Sequence, residues 1–318
     1  MAVLPAGPGL AAVDLPVYQA TVSLGGTTVE NERIAAYAEA LRVVAVRASG
    51  RRSAAESPAV AAATAKAADY VQQYASLPGR NLRVSFDGRA VEQLLAQAGL
   101  PVWPAERPVT LVVLVPPGAA RAIAESERPA ARIELEDAAQ RRGLPVAWPG
   151  QAIDVATAVA AVESTDPAAA RALALAHGAE MLLVGTSGAT DIEWRFSLGG
   201  RSSRSSGAAG DGAHLAADQL ALWYAPPSTR SVNSVPLTVG GIERLESYVQ
   251  LLRYLGALSP VRSVAVDGLA ADRLRLRIAM RGDLELLRRL AALDSHLAPA
   301  AGVAADPAAP AVDFTYVP

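Results

Sequence analysis

Ser187 lies in Gly185-Thr186-Ser187-Gly188, directly after an apolar run, where a nucleophilic serine would sit on a strand-to-helix elbow. Such an elbow needs glycine two residues after the serine because the tight turn leaves no room for a Cβ, and this chain has Ala189 there. The next stretch, 191–198, alternates like a strand, so the hydrolase reading lacks its helix. Thr186, Ser187 and Asp191 still mark a candidate crevice at a strand end, where open parallel sheets take small ligands. A phosphate loop is excluded because no Gly-Lys-Ser/Thr follows any strand.

A second chemistry is cationic. Arg273, Arg275 and Arg277 recur at period two, so on a strand they project from one face, opposite Leu274, Leu276, Ile278 and Met280. A row of guanidinium forks suits carboxylates, phosphates or an anionic polymer. The competing reading is a solvated face paired with acids such as Asp267 and Glu285. Arg47, Arg51 and Arg52 sit where a helix ends, and there positive charge offsets the dipole. Glu134, Glu136 and Asp137 read as the wet face of a helix, and Asp191 with Glu193 as one face of an edge strand. The three histidines, His177, His214 and His296, share no metal-ligand spacing.

Behind these residues stands a chain of 318 residues, long enough for two or three domains. Hydrophobic residues make up 51% and charged ones 19%, the balance of a packed globular protein. A net charge of -2 gives no global attraction to nucleic acid or anionic lipid, so any basic surface is local. Lys66 is the sole lysine, and the other basic residues are arginine. Without cysteine there is no disulfide, thiolate metal site or Cys nucleophile, and nothing in the sequence calls for a cofactor. No apolar run reaches the roughly 18 residues of a membrane span. The opening MAVLPAGPGLAAV reads as the remnant of an export signal over residues 1–16, with a frayed cytoplasmic N-terminus as the alternative.

The elements that position these residues follow from period and punctuation. Strand 17–24 precedes a helix over 30–48 whose stripe is Ile34, Tyr37, Leu41 and Val44. A second helix is expected from Pro58, carrying Val60, Tyr70, Val71 and Tyr74 to the break at Pro78-Gly79. Leu82, Val84 and Phe86 alternate as a strand, and Asp87 caps a short helix over 91–98. Beyond Pro108 come a buried strand over 109–115, a helix over 132–142 with Ile133, Leu135 and Ala138 inward, and a short strand over 144–148. Asp166-Pro167 starts the next helix, Gly178 ends it, and Met181, Leu182, Leu183 and Val184 form a strand covered on both faces. Strand 191–198 is read as an antiparallel edge, 199–212 as a mobile hairpin end or loop, and 213–224 as a closing helix.

After a linker come strand 235–239, helix 242–256 with Ile242, Leu245, Val249 and Leu252 inward, strands 261–266 and 273–280, and helix 284–293. The expected fold class is α/β and α+β. An N-terminal α+β unit spans 17–104, a Rossmann-like parallel-sheet domain 105–226 and a βαββα module, half of a ferredoxin-like unit, 235–298. Residues 227–234 link them, and 299–318 form an Ala/Pro-rich tail in which Val312, Phe314 and Tyr316 can add a short strand.

The succession ENERIAAYAEALRVVAVRASG, SPAVAAATAKAADYVQQY and LRVSFDGRAVEQLLAQAGLPVW resembles the bacterial family catalogued as domain of unknown function twenty sixty-six. The later ALAHGAEMLLVG, GGIERLESYVQLLRYLGAL and MRGDLELLRRL extend that resemblance. It implies an exported, periplasmic protein of Gram-negative bacteria and carries no active site. The expectation is therefore a non-enzymatic interaction or assembly factor whose partner is a protein or an anionic envelope polymer, not nucleic acid. The alternative is a small-ligand binder or hydrolase-like enzyme using the crevice at Ser187.

Overall fold

The computed structural model describes residues 12–25, 29–225, 232–258, 260–270, 272–293, 296–300 and 313–317. It is a mixed α/β protein, with four sheets among the described residues. Contacts divide the chain into two compact units, one spanning Val13–Thr229 and the other taking in Arg230–Pro318. Residues 1–11 of the expected export remnant lie outside the described residues, and Ala12–Asp14 is a strand, β1.

In the first unit β2 (Gln19–Ser23) leads to α1 (Val29–Ser49). Tyr37, Leu41 and Val44 of α1 are buried in one core with Leu82, Val84 and Phe86. Ile34, placed on the same stripe by its spacing, is exposed. The long second helix is corrected. Helix α2 (Pro58–Thr64) is short, a 3-10 turn spans Ala67–Tyr70, and Val71–Leu77 is strand β3. Its backbone groups pair along β4 (Asn81–Phe86), with Tyr74 opposite Val84, and that ladder outweighs the helical spacing of Tyr70, Val71 and Tyr74. The sheet order is β2-β4-β3, antiparallel throughout. Helix α3 (Gly88–Gln97) follows, capped by Asp87, which accepts from the amides of Arg89 and Ala90.

β5 (Glu106–Pro108) pairs with β1, and β6 (Thr110–Val115) is buried along its whole length. α4 (Ala130–Arg142), the two-residue β7 (Val146–Ala147), α5 (Val155–Glu163) and α6 (Pro167–Leu175) then lead to β8 (Met181–Ser187). Helix α5 went unread in the sequence, although Asp154 caps it by accepting from the Thr157 amide. On α4, Ile133 is exposed, and the buried positions are Arg132, Leu135, Ala138, Ala139 and Arg142. The inward stripe is thus turned toward two arginines, most of whose donors find partners indoors.

β8 pairs with β6 in parallel and with β9 (Ile192–Leu198) antiparallel, so Leu182, Leu183 and Val184 are covered on both sides. The expected edge at 191–198 is not an edge, because β9 also pairs with β10 (Arg201–Gly207). Residues 199–212 thus begin as the hairpin end expected, but continue as strand and helix start rather than as a mobile loop. Gly199 and Gly200, with φ of 58° and 77°, make a two-residue turn that matches strand twist, and α7 (Ala209–Tyr224) begins straight after β10. The sheet order β10-β9-β8-β6-β7 mixes three parallel strands with an antiparallel pair.

Two arrangements hold this unit together. Trp194 of β9 is fully buried, its Nε1 donates to Ala208 O, and its ring lies against Gly185 and Gly212. Arg107, also fully buried, is satisfied by carbonyls alone. Its Nη1 donates to Arg142 O and Gly143 O, its Nη2 to Arg47 O and Trp103 O, and its Nε to Pro104 O. The guanidinium stacks 3.7 Å over the Trp103 ring. It closes the C-terminal ends of both α1 and α4, where helices leave carbonyls without internal partners.

The second unit contains β11 (Val232–Gly240), α8 (Leu245–Ala257), β12 (Val261–Ala270), β13 (Arg273–Arg281), α9 (Leu284–Ala291), β14 (Leu297–Pro299) and β15 (Phe314–Tyr316). Of the expected linker and tail, 226–231 and 301–312 lie outside the described residues. The sheet order is β12-β13-β11-β15-β14. β11 is antiparallel to β13 and parallel to β15, which sits between β11 and β14 with Phe314 and Tyr316 buried. The inner stripe of α8 is corrected: Leu251 and Leu255 are buried, whereas Leu245 and Val249 are exposed and Ile242 precedes the helix. This leucine-rich helix carries two overlapping apolar stripes, and packing against β12 selects the second.

Candidate functional site

β13 alternates as its spacing predicts: Leu274, Leu276, Ile278 and Met280 are buried, while Arg275 and Arg277 are exposed and Arg273 is half-buried. A one-residue slip of register would bury the guanidinium groups, so the pairing with β11 fixes which face they occupy. The neighbours leave them room. β12 places Ala265, Gly268 and Ala270 across from Arg277, Arg275 and Arg273, and a Cβ at Gly268 would come within 3.1 Å of Arg275 Nη2. On the other side Pro236 and Thr238 of β11 stand beside Arg277 and Arg275.

Arg277 donates from Nε and Nη2 to a single oxygen of Asp267, at 3.2 and 2.8 Å. Asp267 sits where the β12 register shifts by a bulge between Val266 and Gly268, and the bulge is what aims it at Arg277. Among the described residues Arg273 and Arg275 have no carboxylate partner. The strand runs one residue past the expected 280, to Arg281, which shares the parity of the row. Burial and the nearby Arg262 push the Arg281 guanidinium pKa down, so cations crowd at that end as well. Successive same-face positions are about 7 Å apart on a strand, a spacing suited to a ligand with repeated negative groups.

Thr186, Ser187 and Asp191 close the β8-β9 hairpin. Ser187 pairs with Ile192, and the Gly188 amide donates to Asp191 O at 2.7 Å. Arg195 Nη1 lies 3.4 Å from Thr186 Oγ1, while Arg195 is also bonded to Glu163 and Glu193. The turn is a strand-to-strand hairpin, with no helix amides aimed at Ser187. The histidines are placed elsewhere: His214 against Arg142, and His296 beside the Tyr254 ring. Among the described residues no group of three or more His, Asp or Glu side chains could hold a metal ion. Glu136, read as part of a wet helix face, instead accepts from Arg128, Arg132 and Trp148 Nε1. No described helix is long and apolar enough to cross a membrane.

The fold and these surfaces define a mixed α/β protein with exposed arginine faces. A family model described as domain of unknown function (DUF8605) matches residues 11–104. This overturns the resemblance to domain of unknown function twenty sixty-six, and with it the implied exported bacterial family. The stretches that carried the resemblance most specifically, YVQQY, VSFDG and GLPVW, all lie within the matched residues. No curated protein and no solved structure matches the chain.

Proposed function

We propose that this is a non-enzymatic interaction protein whose C-terminal unit engages an extended anionic partner, an acidic protein segment or an anionic polymer, through the outer face of β13. The observation that carries this reading is the arginine row itself, with Arg273 and Arg275 free of carboxylates among the described residues and beside small residues of β12. Guanidinium groups in a row meet carboxylate or phosphate groups as bidentate forks, which a scattered set of cations does not do. The hairpin setting of Ser187 supports a binding role over hydrolysis.

The architecture is read to match. The order β12-β13-β11 followed by β14, with helices α8 and α9 at the crossovers, supports a ferredoxin-like arrangement in which β15 has been added between the first and last strands. The parallel strands β7, β6 and β8 support a Rossmann-like core for the middle sheet. Small α/β sandwiches of the first kind serve many interaction roles, so the surface and not the fold carries the assignment.

The test is capture on immobilised polyglutamate and polyphosphate across a salt gradient, comparing the native chain with the Arg273→Gln, Arg275→Gln, Arg277→Gln triple variant. The native chain should be retained and released by salt, and the variant should pass through. Equal retention of the two would remove the row as the binding surface.

A further inference from the structure

A separate groove lies in the first unit where the last turns of α1 and α4 meet α7. It has a volume of about 220 Å³ and is lined by Glu39, Arg42, Val43, Val46, Arg52, Ala55, Arg141, Arg142 and His214. Its lining holds four arginines and a histidine against one acid, with Asp218 beside it, in a chain whose net charge is -2. Cations at helix C-termini ordinarily balance the exposed carbonyls there. Here that task is already done from inside. Arg107 takes Arg47 O, Arg142 O and Gly143 O, and Arg142 Nη2 takes Gly50 O. The remaining arginines are therefore surplus to the helix ends.

Their engagements are slight. Arg141 has no ion pair among the described residues, and Arg42 meets only Glu39, three residues before it, on an exposed helix face. Arg52 lies 3.8 Å from Asp218, which is already held by Arg142 at 2.6 Å. Arg142 is the fixed member, fully buried, with its Nε without a partner among the described residues. Its Nη1 lies 3.2 Å from His214 Nδ1. A guanidinium only donates, so Nδ1 accepts, the imidazole is neutral, and its proton sits on Nε2 as a further donor. The floor, Val43, Val46 and Ala55, is apolar.

We infer that this groove is a binding site for a phosphate group, held by Arg52, Arg141 and the Nε2–H of His214, which the buried Arg142 orients from behind, with the apolar floor receiving an organic substituent. The planar forks of Arg52 and Arg141 beside half-buried Val43, Val46 and Ala55 are suited to a tetrahedral dianion, and the groove has room for a phosphate monoester of modest size. This site is independent of the row on β13 and of the partner proposed for it.

The probes are orthophosphate and phenyl phosphate, titrated calorimetrically near neutral pH in a phosphate-free buffer at constant ionic strength. Phenyl phosphate should bind about tenfold more tightly than orthophosphate if the floor reads an organic group, and equally if the natural ligand is free phosphate. The Arg52→Gln, Arg141→Gln double variant alters two exposed side chains, so it should keep its unfolding midpoint and lose about tenfold or more in affinity. The Arg273→Gln, Arg275→Gln, Arg277→Gln variant should bind as the native chain does. No heat from either probe at millimolar concentration, or binding that survives loss of Arg52 and Arg141, overturns the inference.

Discussion

Arg107 Nη1 donates to Gly143 O at 2.6 Å, joining strand β5 to the end of α4. Burial pushes the Arg107 pKa well down and Arg47 pushes it further against a smaller opposing effect of Tyr18, and among the described residues no carboxylate pairs with it. The charge is held instead by the negative ends of two helices.

Arg107→Met should therefore destabilise the first unit by about 3 kcal/mol or more, because each buried carbonyl left without a donor costs about 1–3 kcal/mol. Arg107→Lys keeps the charge but reaches fewer carbonyls and should fall between native and Met. Urea unfolding checks the order; a Met variant as stable as the native chain would show that the carbonyls find other donors.

Gly212 has a tighter role. A Cβ there would sit 2.5 Å from Trp194, which is already against Gly185 on its other side. Gly212→Ala should cost about 1–3 kcal/mol by overpacking. Gly25→Ala, with nothing within 4 Å of its Cβ, should stay within about half a kcal/mol. The difference between the two unfolding midpoints is the measurement, and equal midpoints would mean that Trp194 relaxes freely.

Leu183 is fully buried in the middle strand of the five-stranded sheet, paired with Val112 and Phe196. Leu183→Ala should cost about 2–5 kcal/mol from lost burial and the cavity left behind. Thermal or denaturant melts read this directly.

His214 makes stability depend on pH. Burial, then Arg142 and Arg52, lower its pKa below the usual imidazole value of 6.5, against smaller opposing effects of Asp211 and Asp218. Below that value the unfolded chain binds a proton that the folded chain resists. The contribution is full above pH 6.5 and is lost as pH falls through the lowered folded value. Glu180 acts oppositely, since burial raises its carboxyl pKa and stability falls as pH rises above its ordinary range. The difference between native and His214→Gln isolates the histidine: the variant, whose amide oxygen can still accept from Arg142, should lose less stability on acidification. Identical pH profiles would mean that His214 protonates freely in the fold.

What the sequence made legible was whatever a single element decides locally. Asp166 caps α6 with Pro167 behind it, β8 is continuous and apolar, and β13 alternates; all are present as read. Strand β10 was not legible because Arg201 to Gly207 contains no apolar residue, and only pairing with β9 makes it a strand. Its one readable sign was the Gly199-Gly200 pair between two strand lengths. Tyr70 to Tyr74 kept helical spacing, and only the partner β4 decides otherwise. Arg107, Arg142 and His214 were invisible as a group, since residues 35 and 72 positions apart meet only through packing.

The stretch that matches the family model stops at residue 104, three positions short of Arg107. A fragment cut there would lose the donor to Arg47 O, Trp103 O and Pro104 O, together with β5, the partner of β1. Its longest helix would keep the Trp103 amide on Ala48 O but lose the guanidinium donor to Arg47 O. An isolated version for expression must therefore carry Glu106–Pro108 as part of its own interior.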